Sequence, residues 1–502
     1  MLWFEISGDV TMGLECCGHQ HADGTPEAAW IKPCLCGAPK TQAAFDRIEA
    51  DLSRRQALGG TAAVLGMFAG FGLAPSFARA QTPGRPTVLT NCSYFDGNTP
   101  KMHSGREIVV DGGKISAIVG AGQGPQDATR IDCGGRSVTP GLIDCHWHAT
   151  LVSVSQVAAL TQDIALVHLI AGQEAGATLM RGFTTIRDTG GPVFGLKMAI
   201  DREVLPGPRI FPSGAMISQT SGHGDFRFLN TLPRMDNDPA DYTERTGVAA
   251  IADGEAEVLR RTREQLMKGA SQIKIMAGGG VTSLYDPLDT AQFLEEEMRA
   301  AVRAAADWGT YVCSHVYNSD GIQRALRAGV KSIEHGHLAD LETIRMIREE
   351  GAWWSIQPFL NDEDSNPRSD PIQRAKAEQV ARGTVRAFEQ GRAEGVKMTF
   401  GTDILMNPGS SASQGRQLAK ITRFMSPLEA LRMATGAAGE LLAMSGERAP
   451  YPGKLGVIEP GALADLLVWD GDPTASLDFI GDPAINLKLV MKGGRVFKEN
   501  LA

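Results

Sequence analysis

His146 and His148 stand two residues apart in His146-Trp147-His148, directly after the run Gly141-Leu142-Ile143-Asp144-Cys145. In an extended strand alternate side chains share a face, so both imidazoles point the same way. Lys274 lies inside Ile273-Lys274-Ile275-Met276, where an ammonium group is costly to bury without compensation. His315 follows Cys313-Ser314, His335 follows Ile333-Glu334, and Asp403 follows Phe400-Gly401-Thr402. Each alone has an ordinary structural explanation: a histidine hydrogen-bonded in a core, a lysine paired with a carboxylate, an aspartate capping a helix. Together, four histidines, a lysine and an aspartate at the ends of strand-like runs form a donor set suited to Zn²⁺ or a similar divalent ion.

The elements that must position these residues repeat along the chain. Strand-like runs are expected at 141–145, 184–187, 209–212, 272–276, 311–314, 332–334, 353–357 and 398–401. Ala- and Glu-rich segments such as 295–306, 321–328 and 341–349 lie between them as helices. Strands alternating with helices through residues 140–445 predict a (β/α)₈ TIM barrel, an α/β fold whose active sites form at the C-terminal ends of its strands. A doubly wound open sheet is the alternative, but no Gly-rich phosphate fingerprint follows the first strand.

On either side of the barrel the texture is β. Short runs at 88–90, 107–110 and 114–119 include a hairpin signal at Asp111-Gly112-Gly113. Runs at 465–469 and 487–491 are followed by Gly493-Gly494 and a further strand. Residues 81–139 and 446–502 are therefore expected to form one small β-sandwich domain built from both chain ends.

The first 80 residues read differently. Arg54-Arg55 precedes an uncharged apolar stretch from Ala57 to Ala74, then Pro75 and Ala78-Arg79-Ala80. This is the layout of a twin-arginine export signal cleaved near Ala80, which predicts a periplasmic or secreted protein carried by the Tat machinery, with no stable membrane association after cleavage. An uncleaved anchor is the alternative, disfavoured by the glycines in the stretch. Cys16, Cys17, His19, His21, Cys34 and Cys36 precede the signal and form a soft-ligand mixture; an extended leader is the plainer reading.

With 49 Lys+Arg against 58 Asp+Glu, the net charge of −9 argues against a nucleic-acid partner. An apolar content of 43% excludes a disordered chain, and 8 Cys in 502 residues exclude a disulfide scaffold. Pairing among Cys92, Cys133, Cys145 and Cys313 stays open at this level.

The motifs Gly-Leu-Ile-Asp-x-His-x-His, Ile-Lys-Ile, Ser-His, Glu-His-Gly and Phe-Gly-Thr-Asp occur here in that order and resemble those of the amidohydrolase superfamily over about residues 85–500. The resemblance implies two divalent metal ions, zinc being the expected pair. His146 and His148 would hold the more buried ion, a carboxylated Lys274 would bridge, and His315 and His335 would hold the second. Asp403 would complete the first ion's shell and carry the proton from a metal-bridging hydroxide to the leaving amine. It also implies a homo-oligomer.

Ser218-Gln219-Thr220-Ser221-Gly222-His223-Gly224-Asp225, Ala277-Gly278-Gly279-Gly280-Val281 and His315-Val316-Tyr317 look like the imidazolonepropionase-related dipeptidases, a group of prolidase-like and ochratoxinase-like enzymes. By that resemblance Tyr317 polarises the substrate carbonyl and His223 holds the substrate. A packing aromatic and a loop-stabilising histidine are the plainer readings. The group often has Ala where Val316 stands, and the extra bulk puts the placement of the Tyr317 ring in question. Gly336 is expected to end its strand, leaving His337 outside the ligand pattern, and Trp353, Trp354, Met406, Asn407 and 409–413 are possible wall or rim positions.

The function implied is hydrolysis of the amide to a C-terminal amino acid in a dipeptide or N-acyl amino acid, ochratoxin-like amides included. A cyclic-amide hydrolase or deaminase of the same superfamily is the alternative. A metal-binding protein without catalysis is a third reading, disfavoured by the complete ligand set.

Overall fold

The computed structural model describes residues 85–501 except 236–237, 284, 366–367 and 369. The expected export signal and the cysteine- and histidine-bearing segment before it lie outside the described residues. Eight parallel strands carry the fold: β1 (Leu142–Trp147), β2 (Phe183–Asp188), β3 (Arg209–Pro212), β4 (Ile273–Met276), β5 (Val312–Asn318), β6 (Ser332–Leu338), β7 (Trp353–Ile356) and β8 (Lys397–Phe400). Their side chains are buried almost throughout, as expected of strands with helices over their outer face.

Two junctions join the strands into a barrel. Ser271 N donates to Pro212 O at 2.7 Å, tying β3 to the entry of β4. Asp403 N donates to His146 O at 2.8 Å, so the chain leaving β8 pairs with the end of β1. That contact requires glycine at position 401, because a Cβ there would fall 2.5 Å from the His146 Cβ. The TIM-barrel expectation holds, with helices Glu255–Met267, Glu295–Asp307, Ser319–Ala328, Leu341–Glu349 and Pro371–Ala393 between the later strands.

β5 and β6 run farther than the sequence suggested. β5 continues to Asn318, through a register shift between Val316 and Asn318, so His315 and Tyr317 are both strand residues. β6 continues through Gly336 to Leu338, which makes His337 a strand residue as well. Gly336 does not break the strand; it takes φ +65° and leaves room for Trp354, whose Nε1 a Cβ would meet at 2.6 Å. Trp354 Nε1 donates to His335 O at 2.7 Å, and Trp353 packs against Phe211 and Leu441, so both tryptophans belong to the core.

Strands from both ends of the described chain share one six-stranded sheet, in the order Arg495–Glu499, Leu487–Lys492, Leu466–Trp469, Ser137–Pro140, Ser93–Phe95 and Met102–His103. A four-stranded sheet holds Lys114–Gly120, Arg106–Asp111, Thr87–Thr90 and Thr129–Asp132. Gly112 and Gly113 turn the expected hairpin with φ +57° and +80°. Leu89, Ile108, Val138, Leu466 and Leu489 bury their side chains in one cluster drawn from both sheets. Cys92, Cys133, Cys145 and Cys313 are buried and unpaired. Among the described residues no helix is long and apolar enough to cross a membrane.

Candidate active site

The C-terminal ends of the strands open onto a cavity of about 300 Å³, lined among others by His146, His148, His223, Lys274, His315, Tyr317, His335 and Asp403. All eight site residues expected from the sequence therefore line one cavity. Asp403 Oδ1 lies 3.4 Å from His146 Nε2 and 3.2 Å from His148 Nε2. The His335 ring centroid is 4.7 Å from that of His146 and 4.5 Å from that of His315. The tightest convergence is of His146, His335 and Asp403, whose ligand atoms lie within 4.8 Å of one another.

Partners behind the rings decide which nitrogen faces inward. His146 Nδ1 donates to Glu334 Oε2 at 2.8 Å, His148 Nδ1 to Gly190 O at 2.8 Å, and His335 Nδ1 to Gln357 Oε1 at 2.7 Å. Each bond holds the tautomer that leaves Nε2 as the lone-pair donor towards the cavity. His315 is arranged the other way, its Nε2 donating to Gly279 O at 3.2 Å. Two donor residues sit in the left-handed region, His335 at φ +74° and Asp403 at φ +51°. Non-glycine residues rarely adopt it, and strain of this kind gathers at functional sites.

Burial favours the neutral, metal-ready form of the imidazoles. It pulls His335 down to about 3 against the opposing charge of Asp403, and drives His146 well below the ordinary value, with Lys274 adding to the effect. Burial alone would raise the Asp403 carboxyl, but the imidazoles of His146, His335 and His148 overcome it and hold the group ionised. Lys274 is fully buried, and burial depresses its ammonium although Glu334 opposes this.

The donor chemistry fits a divalent pair. Among the described residues Lys274 Nζ has no ion pair, and its nearest polar partner is His146 Nε2 at 3.4 Å, itself turned towards the cavity. A cation among metal-facing imidazoles is unfavourable; carboxylation of Nζ would replace it with anionic oxygens suited to bridging ions. Imidazole nitrogens and one ionised carboxylate complete a set typical of Zn²⁺.

Residues 137–497 match the model of the amidohydrolase family. The chain belongs to the amidohydrolase family. The ochratoxinase of Aspergillus niger is 32% identical over 374 residues, covering 72% of this chain and 75% of that protein. A prolidase crystallised with N-methylphosphonate-L-proline superposes with a TM-score of 0.75 at 35% identity, covering 82% of this chain and 100% of that one. A Xaa-Pro dipeptidase with methionine in its active site gives 0.70 at 30% identity over 82% and 100% of the two chains. This amidohydrolase is thus a hydrolase of amide or peptide carbon–nitrogen bonds, of the ochratoxinase- and prolidase-like group.

Beside these imidazoles stand the two residues expected to meet substrate. Val316 turns away from the cavity into the space left by Gly278 and by Gly321 of the following helix, so its bulk does not displace Tyr317. The Tyr317 ring stacks on His335 at 4.9 Å, and burial together with Asp403 holds its hydroxyl protonated, well above the usual phenol value. His223 stacks on His315 at 4.1 Å, while its Nδ1 meets Ser283 Oγ at 2.9 Å and Asp286 Oδ2 at 3.2 Å. Gly280 is needed there, because a Cβ would overlap the His223 ring at 1.9 Å.

Several supporting residues of this amidohydrolase escaped the sequence reading. Glu334 sits between His146 and Arg187, whose Nη2 donates to both carboxylate oxygens at 2.7 Å. Lys376, on helix Pro371–Ala393, donates to the carbonyls of Gly280, Ser283 and Asp286 at 2.8–3.0 Å and pins the loop that holds His223. Glu334 stood within the Glu-His-Gly motif and was the one signal available. His337, whose Nε2 donates to Gln357 O at 2.8 Å, supports the same glutamine that orients His335. Of the expected rim residues Met406 lines the cavity, whereas Asn407 and 409–413 do not.

Proposed function

We propose that this amidohydrolase cleaves the amide bond to a C-terminal amino acid in dipeptides or N-acyl amino acids, with ochratoxin-like amides within reach. The observation that carries the reading is the meeting of Asp403 with His146 and His148 beside the buried Lys274, in one cavity with Tyr317 and His223. His146, His148, His315, His335, Asp403 and a carboxylated Lys274 would hold two zinc ions, which supply Lewis acidity and an acidified water.

The chain's own groups do the rest. Asp403, ionised at neutral pH, accepts the proton of the attacking water and returns it to the leaving nitrogen. Tyr317, protonated, donates to the carbonyl oxygen as negative charge develops there. His223, its Nδ1 fixed by Asp286, presents Nε2 to the substrate. The presence of the lysine favours amide hydrolysis over deamination within this resemblance.

The resemblance and the residue 1–80 pattern support the remaining parts of the proposal: export by the twin-arginine route with cleavage near Ala80, a homo-oligomer, and a small β-sandwich domain assembled from the two end sheets. Amine release by the mature, zinc-loaded protein from a panel of dipeptides and N-acyl amino acids tests the activity. Cleavage with a clear preference at the C-terminal residue is expected; silence across the panel with two metals bound would transfer the reading to cyclic amides.

A further inference from the structure

Several basic residues stand on or beside the wall that follows β7, and their partners differ. Lys420 Nζ is 2.6 Å from Asp362 and 2.8 Å from Asp364, and Arg416 Nη2 is 2.8 Å from Asp364. Lys376 is satisfied by three carbonyls. Arg368 lines the cavity, yet among the described residues its guanidinium has neither an ion pair nor a hydrogen bond; only its backbone carbonyl is engaged, accepting from Arg374 Nη1 at 3.0 Å. Burial weakens its hold on its proton, and the groups that oppose this are Tyr317 and Asp403, both in the site.

A half-buried guanidinium without a counter-ion is unfavourable in the empty protein and favourable once an anion arrives. Its five donors in a planar fork match the two oxygens of a carboxylate bidentately. In an amide of an α-amino acid, the carboxylate lies two bonds beyond the scissile nitrogen. A cation lining the same cavity as Tyr317 and Asp403 is within that cavity's reach of such a carboxylate.

We infer that Arg368 is the specificity residue that receives the free α-carboxylate of the substrate's C-terminal amino acid. The inference rests on the amide-hydrolase reading of the site for its substrate class, while Arg368 itself touches no reacting atom. It explains how this cavity would distinguish a carboxypeptidase substrate from an internal peptide bond or an amidated end, neither of which offers the anion.

The test compares N-benzoyl-L-phenylalanine with its carboxamide, in metal-loaded protein carrying Asp403→Asn so that binding is read without turnover. With Arg368 intact, the acid is expected to bind on the order of 100-fold more tightly than the carboxamide. Arg368→Met should bring that ratio close to one by weakening the acid alone, and Arg368→Lys should restore part of it. Equal binding of acid and carboxamide with Arg368 present, no binding of either, or an undiminished ratio in Arg368→Met would each overturn the inference. The same pair of ligands then goes to the Asp403-bearing enzyme for amine release. An acid preference that depends on Arg368 without any cleavage would leave this inference standing and remove the hydrolytic reading instead.

Discussion

Glu334 Oε2 accepts a hydrogen bond from His146 Nδ1 at 2.8 Å while Arg187 Nη2 donates to both oxygens of the same carboxylate. All three side chains are buried. A carboxylate wedged between a guanidinium and a cavity-facing imidazole sets the ring's tautomer and keeps the guanidinium compensated.

Glu334→Gln keeps the shape and removes the charge. Its amide would leave Arg187 without a counter-ion and His146 without an anionic acceptor. Loss of a supporting partner of this kind weakens metal binding by about 10–100-fold, and breaking a buried pair costs about 3–5 kcal/mol. Metal affinity by competition with a chelator and stability by denaturant titration should both fall. Unchanged metal affinity would show that the tautomer is held by something else.

Asp403→Asn leaves a neutral group of the same size where the barrel closes. The backbone bond from Asp403 N to His146 O does not involve the side chain and should persist. We expect kcat to fall by at least about 10²–10⁴-fold, with an unaltered far-ultraviolet circular dichroism spectrum. A kcat close to that of the parent would remove Asp403 from proton transfer.

Much of this site was legible in the sequence because the candidate ligands on strands keep fixed company, with an apolar run before them. His146, Lys274, His315, His335 and Asp403 could be placed on strands or just after them from that pattern alone. What stayed hidden were contacts made across the barrel. Arg187 meets Glu334 from a strand far away in the sequence, and Lys376 reaches the loop after β4 from the helix after β7. The ends of β5 and β6 were also misjudged: β5 runs on through a register shift between Val316 and Asn318, and Gly336 was taken as the terminator of β6. It serves instead to admit Trp354 while the strand continues.

Tyr317→Phe tests the carbonyl-facing role. The ring would still stack on His335, so packing should be preserved. Removal of one donor to a developing oxyanion lowers kcat by about 10²–10³-fold. KM should change little, since the bond strengthens chiefly in the transition state. An equal loss spread into KM would mark Tyr317 as a binding residue only.

Lys492 gives a pH dependence away from the metal site. Its Nζ donates to Gly207 O at 2.5 Å, and burial, with Arg209 adding, lowers its pKa to about 8. The unfolded chain keeps a lysine value of about 10.4. Between those values the unfolded state binds more protons than the folded one, so this residue's contribution to stability rises with pH through that window. The Tm of the parent relative to Lys492→Met should therefore increase from pH 8 to pH 10. A flat or falling difference would contradict the assignment.

The central claim is that this chain hydrolyses amides through a metal pair bridged by Lys274. Protein stripped of metal and titrated with zinc, with amine release followed at each step, tests it most directly. The account predicts no activity without metal and a plateau at two equivalents per chain, with Lys274→Ala retaining one ion or none and staying inactive. Full activity in the stripped protein, or two tightly held ions in Lys274→Ala, would contradict it.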